Sequence, residues 1–240
     1  MIVATWNFER RGPHTPKAQT MMDRLAAERP ALVCLTEAHE GSTAALGGHE
    51  IAVRGVVWSR AKETERKVVL WSVQPWRGLD IAGPNGCEAG AYLSGVTNVN
   101  GVDVWVVGVC IPYSFASPLG AEPRAKPWSQ HITYLRGLKT AIENRPRDLP
   151  CIVLGDYNQF VPRIWGPKAA AAALSDALGD LLVSTSGPME GFAKPAIDHI
   201  AHCQKLSAAN VRTLSNIGHR GERLSDHYGM VVDLGRVLPE

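Results

Sequence analysis

The chain has 240 residues, a formal net charge of +2, 45% hydrophobic and 20% charged residues. That composition supplies a sizeable core and excludes a disordered or fibrous chain. The near-neutral charge gives no global attraction to nucleic acid but leaves room for a local basic patch. The five cysteines, Cys34, Cys87, Cys110, Cys151 and Cys203, are scattered and odd in number, without a C-x-x-C pair. This argues against a disulfide framework or zinc ribbon and favours a reducing, cytoplasmic setting. No secretory signal is expected at the N-terminus, which enters an apolar run directly. No segment approaches the roughly 18 apolar residues of a membrane span.

In chain order, Ile2 to Trp6 predicts a first strand, followed by Asn7. Thr15-Pro16 supplies an N-cap and a first-turn proline for a helix carrying Met21, Met22, Leu25 and Ala26, which stops near Arg29-Pro30. Ala31 to Thr36 reads as a buried strand ending on Glu37. The runs 51–53, 68–73, 91–98 and 102–111 are strand candidates from their Val, Ile and Trp content. The mixed-charge run from Arg60 to Lys67 reads first as a solvated hairpin loop and second as a grip for nucleic acid. A helix is predicted over 129–144, a strand over 151–155 ending on Asp156, and an alanine-rich helix over 168–182. The last strands are 197–202, 210–214 and 228–234. Strands interspersed with helices predict an α/β or α+β layered architecture, in one domain over residues 1–240. The irregular stretches 112–128 and 157–167 are long enough to be functional loops.

Polar groups recur where apolar strands end: Asn7, Glu37, Asp156 with Asn158, Asp198 with His199, and Asp226 with His227. One such residue is usually a turn former. Five sites bordering buried strands need partners, because an unpaired carboxylate there is costly. Carboxylates and amides can hold a hard cation such as Mg²⁺, a further carboxylate can take a proton from water, and a histidine can contact phosphate. Extended-strand alternation would put Asp156 and Asn158 on one face and His199 on the face opposite Asp198.

Trp6-Asn7, Leu35-Thr36-Glu37, Gly155-Asp156-Tyr157-Asn158, Ile197-Asp198-His199-Ile200 and Ser225-Asp226-His227, in this order, resemble the endonuclease/exonuclease/phosphatase superfamily. That group includes apurinic endonucleases, DNase I-like nucleases, inositol phosphatases and sphingomyelinases. The resemblance implies a DNase I-like four-layer sandwich, two packed mixed β-sheets flanked by helices, with the site at one edge. It implies a Mg²⁺- or Mn²⁺-dependent phosphoric ester hydrolase in which Glu37 is the principal metal ligand, helped by Asn7 and Asp226. Asp156, with Asn158 beside it, would orient or deprotonate water, and His227, held by Asp198, would contact the phosphate. Either Asp156 or the His227–Asp198 pair can be the base on this reading. Glu9 stands where some relatives carry a second acidic ligand, and equally reads as a solvated acid beside Arg10 and Arg11.

Cys110 departs from the His or Tyr that relatives often carry there, and a buried strand thiol is the simpler reading. A phosphodiester of DNA or RNA is the first expected substrate, with a small metabolite or lipid head group second. A catalytically silent binding domain is disfavoured because all the site acids are present. Arg10, Arg11, Arg124, Lys126, Arg163, Arg220 and Arg223 lie in loops near the motifs and together favour an anionic substrate. Trp128 and Trp165 fall in the two long loops, where lid packing and base stacking are both open roles. The sequence points to no protein partner.

Overall fold

The computed structural model describes residues 1–55, 61–118 and 124–237. Arg60 and Trp58 lie outside the described residues. Strands β1 (Ile2–Asn7), β2 (Leu32–His39), β3 (His49–Ala52), β4 (Glu65–Ser72), β11 (Leu206–Leu214) and β12 (Gly229–Arg236) form one mixed sheet, in the order β11-β12-β1-β2-β4-β3. Strands β5 (Trp76–Asp80), β6 (Tyr92–Val99), β7 (Val102–Cys110), β8 (Cys151–Asp156), β9 (Leu182–Val183) and β10 (Asp198–His202) form the second, in the order β5-β6-β7-β8-β10-β9. Each sheet holds one parallel pair, β1–β2 and β7–β8, with its other neighbours antiparallel.

Three apolar clusters explain the layering. Leu32, Cys34, Val68 and Leu70 of the first sheet meet Val104, Val106, Ile152 and Leu154 of the second between the sheets. Helix α1 (Pro16–Ala27) covers the outer face of the first sheet, where Met21 and Leu25 pack with Trp6, Val33 and Leu35. Helices α2 (Ser129–Glu143) and α3 (Lys168–Leu178) cover the second sheet through Tyr134, Leu138, Leu174 and Leu178. Strands such as β2 and β8 are therefore buried on both faces, which is why they read as continuous apolar runs rather than alternating ones. The result is the expected α/β four-layer sandwich. No helix among the described residues is long and apolar enough to cross a membrane.

Helix α1 begins as its sequence requires, with the Thr15 hydroxyl accepting from the Ala18 amide at 3.3 Å and Pro16 at the first turn. Three expectations need correction. The alanine-rich helix ends at Leu178, not at 182, because Gly179 turns to a φ of 58° and the chain re-enters the sheet as β9. The segment 76–80, not expected as a strand, is the exposed edge strand β5; its polar face and Gly78 at φ 56° hide the pattern. The charged run after Arg60 is a loop only in part: Glu65, Arg66 and Lys67 open β4, with Glu65 and Arg66 buried.

A candidate active site at the joint edge of the two sheets

The five motifs converge where the ends of β1, β2, β8 and β10 meet the turn before β12. Asn7 closes β1, and its Nδ2 donates to Asp156 Oδ2 at 3.0 Å, joining the two sheets. Asp156 is the last residue of β8 and faces Asp198 across the antiparallel β8–β10 ladder. Asp198 Oδ2 in turn accepts from Nδ1 of His227 at 2.5 Å, a second bridge between the sheets. Ligand-capable atoms of Asp156, Asp198 and His227 all lie within 4.8 Å of one another.

Neighbouring motif residues hold this arrangement. The Ser225 hydroxyl donates to the Asn7 carbonyl at 2.7 Å and accepts from the His227 amide at 3.2 Å. The Trp6 indole donates to the His227 carbonyl at 2.8 Å. Gly155 is required sterically: at φ 138°, a Cβ there would stand 2.0 Å from the Val109 carbonyl oxygen. Gly155→Ala should therefore destabilise the protein by about 3 kcal/mol or more through strain and backbone overlap. A urea melt with an unshifted midpoint would show that β7 and β8 yield more easily than this contact implies.

The electrostatics are polarised. Asp156 is only 2% exposed. Burial, reinforced by Asp198, pushes its carboxyl from the ordinary 3.8 up to about 7. For His227 burial opposes the charge, but the Asp198 carboxylate, its hydrogen bond and the nearby Asp156 and Asp226 outweigh it and raise the imidazole to about 10. Its Nδ1–H is committed to Asp198, which leaves Nε2, 3.9 Å from Asp226 Oδ1, as the free donor.

The other expected residues are placed as follows. Glu37 is half-buried at the site's edge with a left-handed φ of 46°, uncommon for a non-glycine residue in a strand. Its charge contributes to the raised pKa of Asp156. Asp226, with its side chain 50% exposed, borders His227. Asn158 does not continue the strand, so alternation does not place it: at φ 52° the chain curls, and its amide donates to Asp156 Oδ1 at 2.8 Å. Its Nδ2 donates to the Ile111 carbonyl at 2.8 Å. The Glu9 carboxylate pairs with Arg11 at 2.8 Å and Arg223 at 3.0 Å.

Cys110 is buried, and burial raises its thiol well above the ordinary value, so it is an inert wall residue. His199 points away from the site, held by Thr185 and the Gln159 carbonyl at 3.0 Å each, and burial lowers it to about 4.

Lys67 was not anticipated. In the β2–β4 ladder Thr36 pairs with Val68 and Ala38 with Arg66, leaving Glu37 and Lys67 opposite each other. Burial works against the Lys67 charge, yet Cys110, Glu37, Glu88 and Asp156 around it hold its pKa above the ordinary lysine value. The only signal in the sequence was a basic residue immediately before the apolar run at 68–73.

The acids gathered at this edge, Asp156, Asp198 and Glu37, suit a hard divalent cation. Asp198 Oδ1 is buried and accepts no hydrogen bond from the protein. Mutually repelling Asp156 and Asp198, with Glu37 beside them, concentrate negative charge where a cation would relieve it.

A model of the Endonuclease/Exonuclease/phosphatase family matches residues 4–227. No curated protein sequence matches the chain. Among solved structures, a 3′ phosphatase, NExo, from Neisseria bound to a product DNA hairpin superposes with a TM-score of 0.71 at 15% identity, covering 98% of this chain and 99% of that one. An AP endonuclease from Archaeoglobus fulgidus gives a TM-score of 0.67 at 14% identity, with 97% and 98% covered. An endonuclease/exonuclease/phosphatase from Beutenbergia cavernae gives 0.65 at 17% identity, with 98% of this chain and 71% of that chain covered. These likenesses carry the fold, and the family match spans every motif from Trp6 to His227. The chain belongs to the endonuclease/exonuclease/phosphatase family.

Proposed function

We propose that this protein is a Mg²⁺- or Mn²⁺-dependent hydrolase of phosphodiester bonds, acting on DNA or RNA. The observation that carries the reading is the linked pair of bridges, Asn7–Asp156 and Asp198–His227, which sets a proton acceptor beside a cationic donor. Family membership supports phosphoric ester hydrolysis. The DNA product of the Neisseria neighbour supports nucleic acid as the substrate.

A divalent cation held by Glu37, with Asn7 and Asp226, would supply charge neutralisation at the phosphate and the leaving oxygen. Asn7 Oδ1 already accepts from the Glu9 amide at 2.8 Å, so that side chain is oriented in advance. Asp156 takes a proton from the attacking water as the water oxygen bonds to phosphorus and the bond to the leaving oxygen breaks. With its carboxyl near pH 7, it is the better base at neutral pH. His227, whose pKa Asp198 raises, holds its proton, and its Nε2–H donates to a phosphoryl oxygen. Asn158 holds the Asp156 carboxylate in place. Lys67, beside Glu37, adds a positive charge to the phosphate's surroundings.

The test is cleavage of end-labelled duplex DNA, intact and with an abasic site, in Mg²⁺ and Mn²⁺. EDTA and Glu37→Ala are expected to abolish the cuts, with Glu37→Ala lowering activity and metal dependence together. Full activity of Glu37→Ala would remove it as the principal ligand. A folded protein that cuts no DNA or RNA but hydrolyses a small phosphodiester would displace nucleic acid as the substrate.

A further inference from the structure

The loops that follow β7 and β8 both spring from the site: Cys110 and Asp156 are register partners at the ends of those strands. The exposed aromatic side chains among the described residues all lie in these two loops, namely Tyr113 at 55%, Phe115 at 64% and Trp165 at 57%. The other described Phe, Tyr and Trp rings are buried or half-buried, so the exposed ones are concentrated in these two loops.

The rim is also built rigidly. His131 Nδ1–H donates to the Pro112 carbonyl at 2.7 Å, and its Nε2 accepts from Gln159, which also donates to the Ala170 carbonyl at 3.0 Å. This buried chain ties the loop after β7, the loop after β8 and helices α2 and α3 together. Burial lowers the His131 pKa, consistent with a neutral ring that donates on one side and accepts on the other. The Trp128 amide donates to the Ser114 carbonyl at 2.6 Å, and the Trp128 ring lies 5.4 Å from the Trp165 ring at an interplanar angle of 50°. Exposed cations lie in or beside the same loops: Arg124 and Lys126 in the first, and Arg163 and Lys168 in or next to the second. The 157–168 segment contains no acid.

We propose that Tyr113, Phe115 and Trp165 form a stacking platform for unpaired bases of the nucleic-acid strand whose phosphate enters the site. The inference rests on the nucleic-acid reading above and narrows it to substrates with a single-stranded or splayed segment. Aromatic faces alternating with cations match a strand's alternation of bases and phosphates, and stacking tolerates any base sequence. A duplex hides its base faces and would engage only the cations. A preordered platform also avoids the entropy of freezing loops on binding.

The experiment measures KM and kcat in Mg²⁺ for a short single-stranded oligonucleotide, the same sequence as a blunt duplex, and bis(p-nitrophenyl) phosphate. Phe115→Ala and Trp165→Ala are each expected to raise KM for the single strand about tenfold at unchanged kcat. Neither should alter hydrolysis of the small diester, which reports an intact site and fold. Trp165→Phe, which keeps a ring, should restore most of the loss. The platform is overturned if both alanine variants cut the single strand as the wild type does. It is equally overturned if the tryptophan fluorescence change that Trp165→Phe removes is produced by anionic phospholipid vesicles and not by the oligonucleotide. Hydrolysis of the small diester by a wild type that cuts no nucleic acid would instead remove the parent reading, a separate outcome.

Discussion

Asp156→Asn is expected to lower kcat by about 10²–10⁴-fold while leaving substrate affinity nearly unchanged. The amide keeps the shape of the carboxylate but has one oxygen where Asn158 and Asn7 donate to two, so it keeps one of these bonds, and it cannot take a proton from water. The same change should make the metal-free protein more stable. Asp156 is held at about 7, above its ordinary 3.8, first because it is buried and then because Asp198 opposes it. The folded state thus favours its protonated form, and its charge destabilises the fold increasingly as pH rises from about 4 to about 7, then by a constant amount. Removing that charge should gain on the order of 1–4 kcal/mol at about pH 8 and nothing at about pH 4, less whatever attraction to His227 is lost. Stopped turnover measurements and melting temperatures at those two pH values check both halves. Wild-type kcat in the variant would end the assignment of Asp156 as base, whatever happens to the melt.

Asp198→Asn should be nearly as damaging, by a different route. His227 is raised to about 10, against burial, by the charge of Asp198 and the hydrogen bond between them. An amide at this position removes the charge, so the imidazole should titrate closer to its ordinary 6.5 and lose its proton near neutrality. Turnover should fall about 10²–10⁴-fold at alkaline pH and recover in part as pH drops below the new His227 pKa. Stability should follow the same sign. In the wild type the His227 contribution is full below 6.5 and is lost as pH rises through about 10; the variant should lack most of it. Imidazole resonances followed by NMR give the titration directly. A His227 that titrates as in the wild type would mean that Asp198 does not hold it.

How far the sequence carried this reading depended on the range of the physics involved. Strands covered on both faces, such as β2 and β8, announce themselves as apolar runs because both neighbours demand apolar side chains. Edge strand β5 and the two-residue β9 carry no such demand and are silent. Asp156, Asp198 and His227 were legible through the order of their motifs, and the structure brings them together. The detail around them was not. Alternation presumes extended backbone, and the curl at Asn158 broke it. The engagement of Glu9 by Arg223 depends on a partner 214 positions away. Lys67 is opposite Glu37 only because of the β2–β4 register, so a charged stretch that looks solvated in one dimension reaches the site in three.

The two bridges between the sheets divide the proposed site residues unequally. Asn7, Glu37, Asp226 and His227 arrive on one sheet, Asp156, Asn158 and Asp198 on the other. On the roles proposed above, neither half holds both a base and the group that steadies the phosphate. Competence therefore belongs to the docking of the sheets rather than to either sheet. A slip of one strand spacing, about 4.8 Å, would leave every helix and ladder intact and abolish the chemistry. Insertions within a loop that leave this seam in register are, by the same logic, the changes through which such a scaffold can alter what it cuts without losing how it cuts.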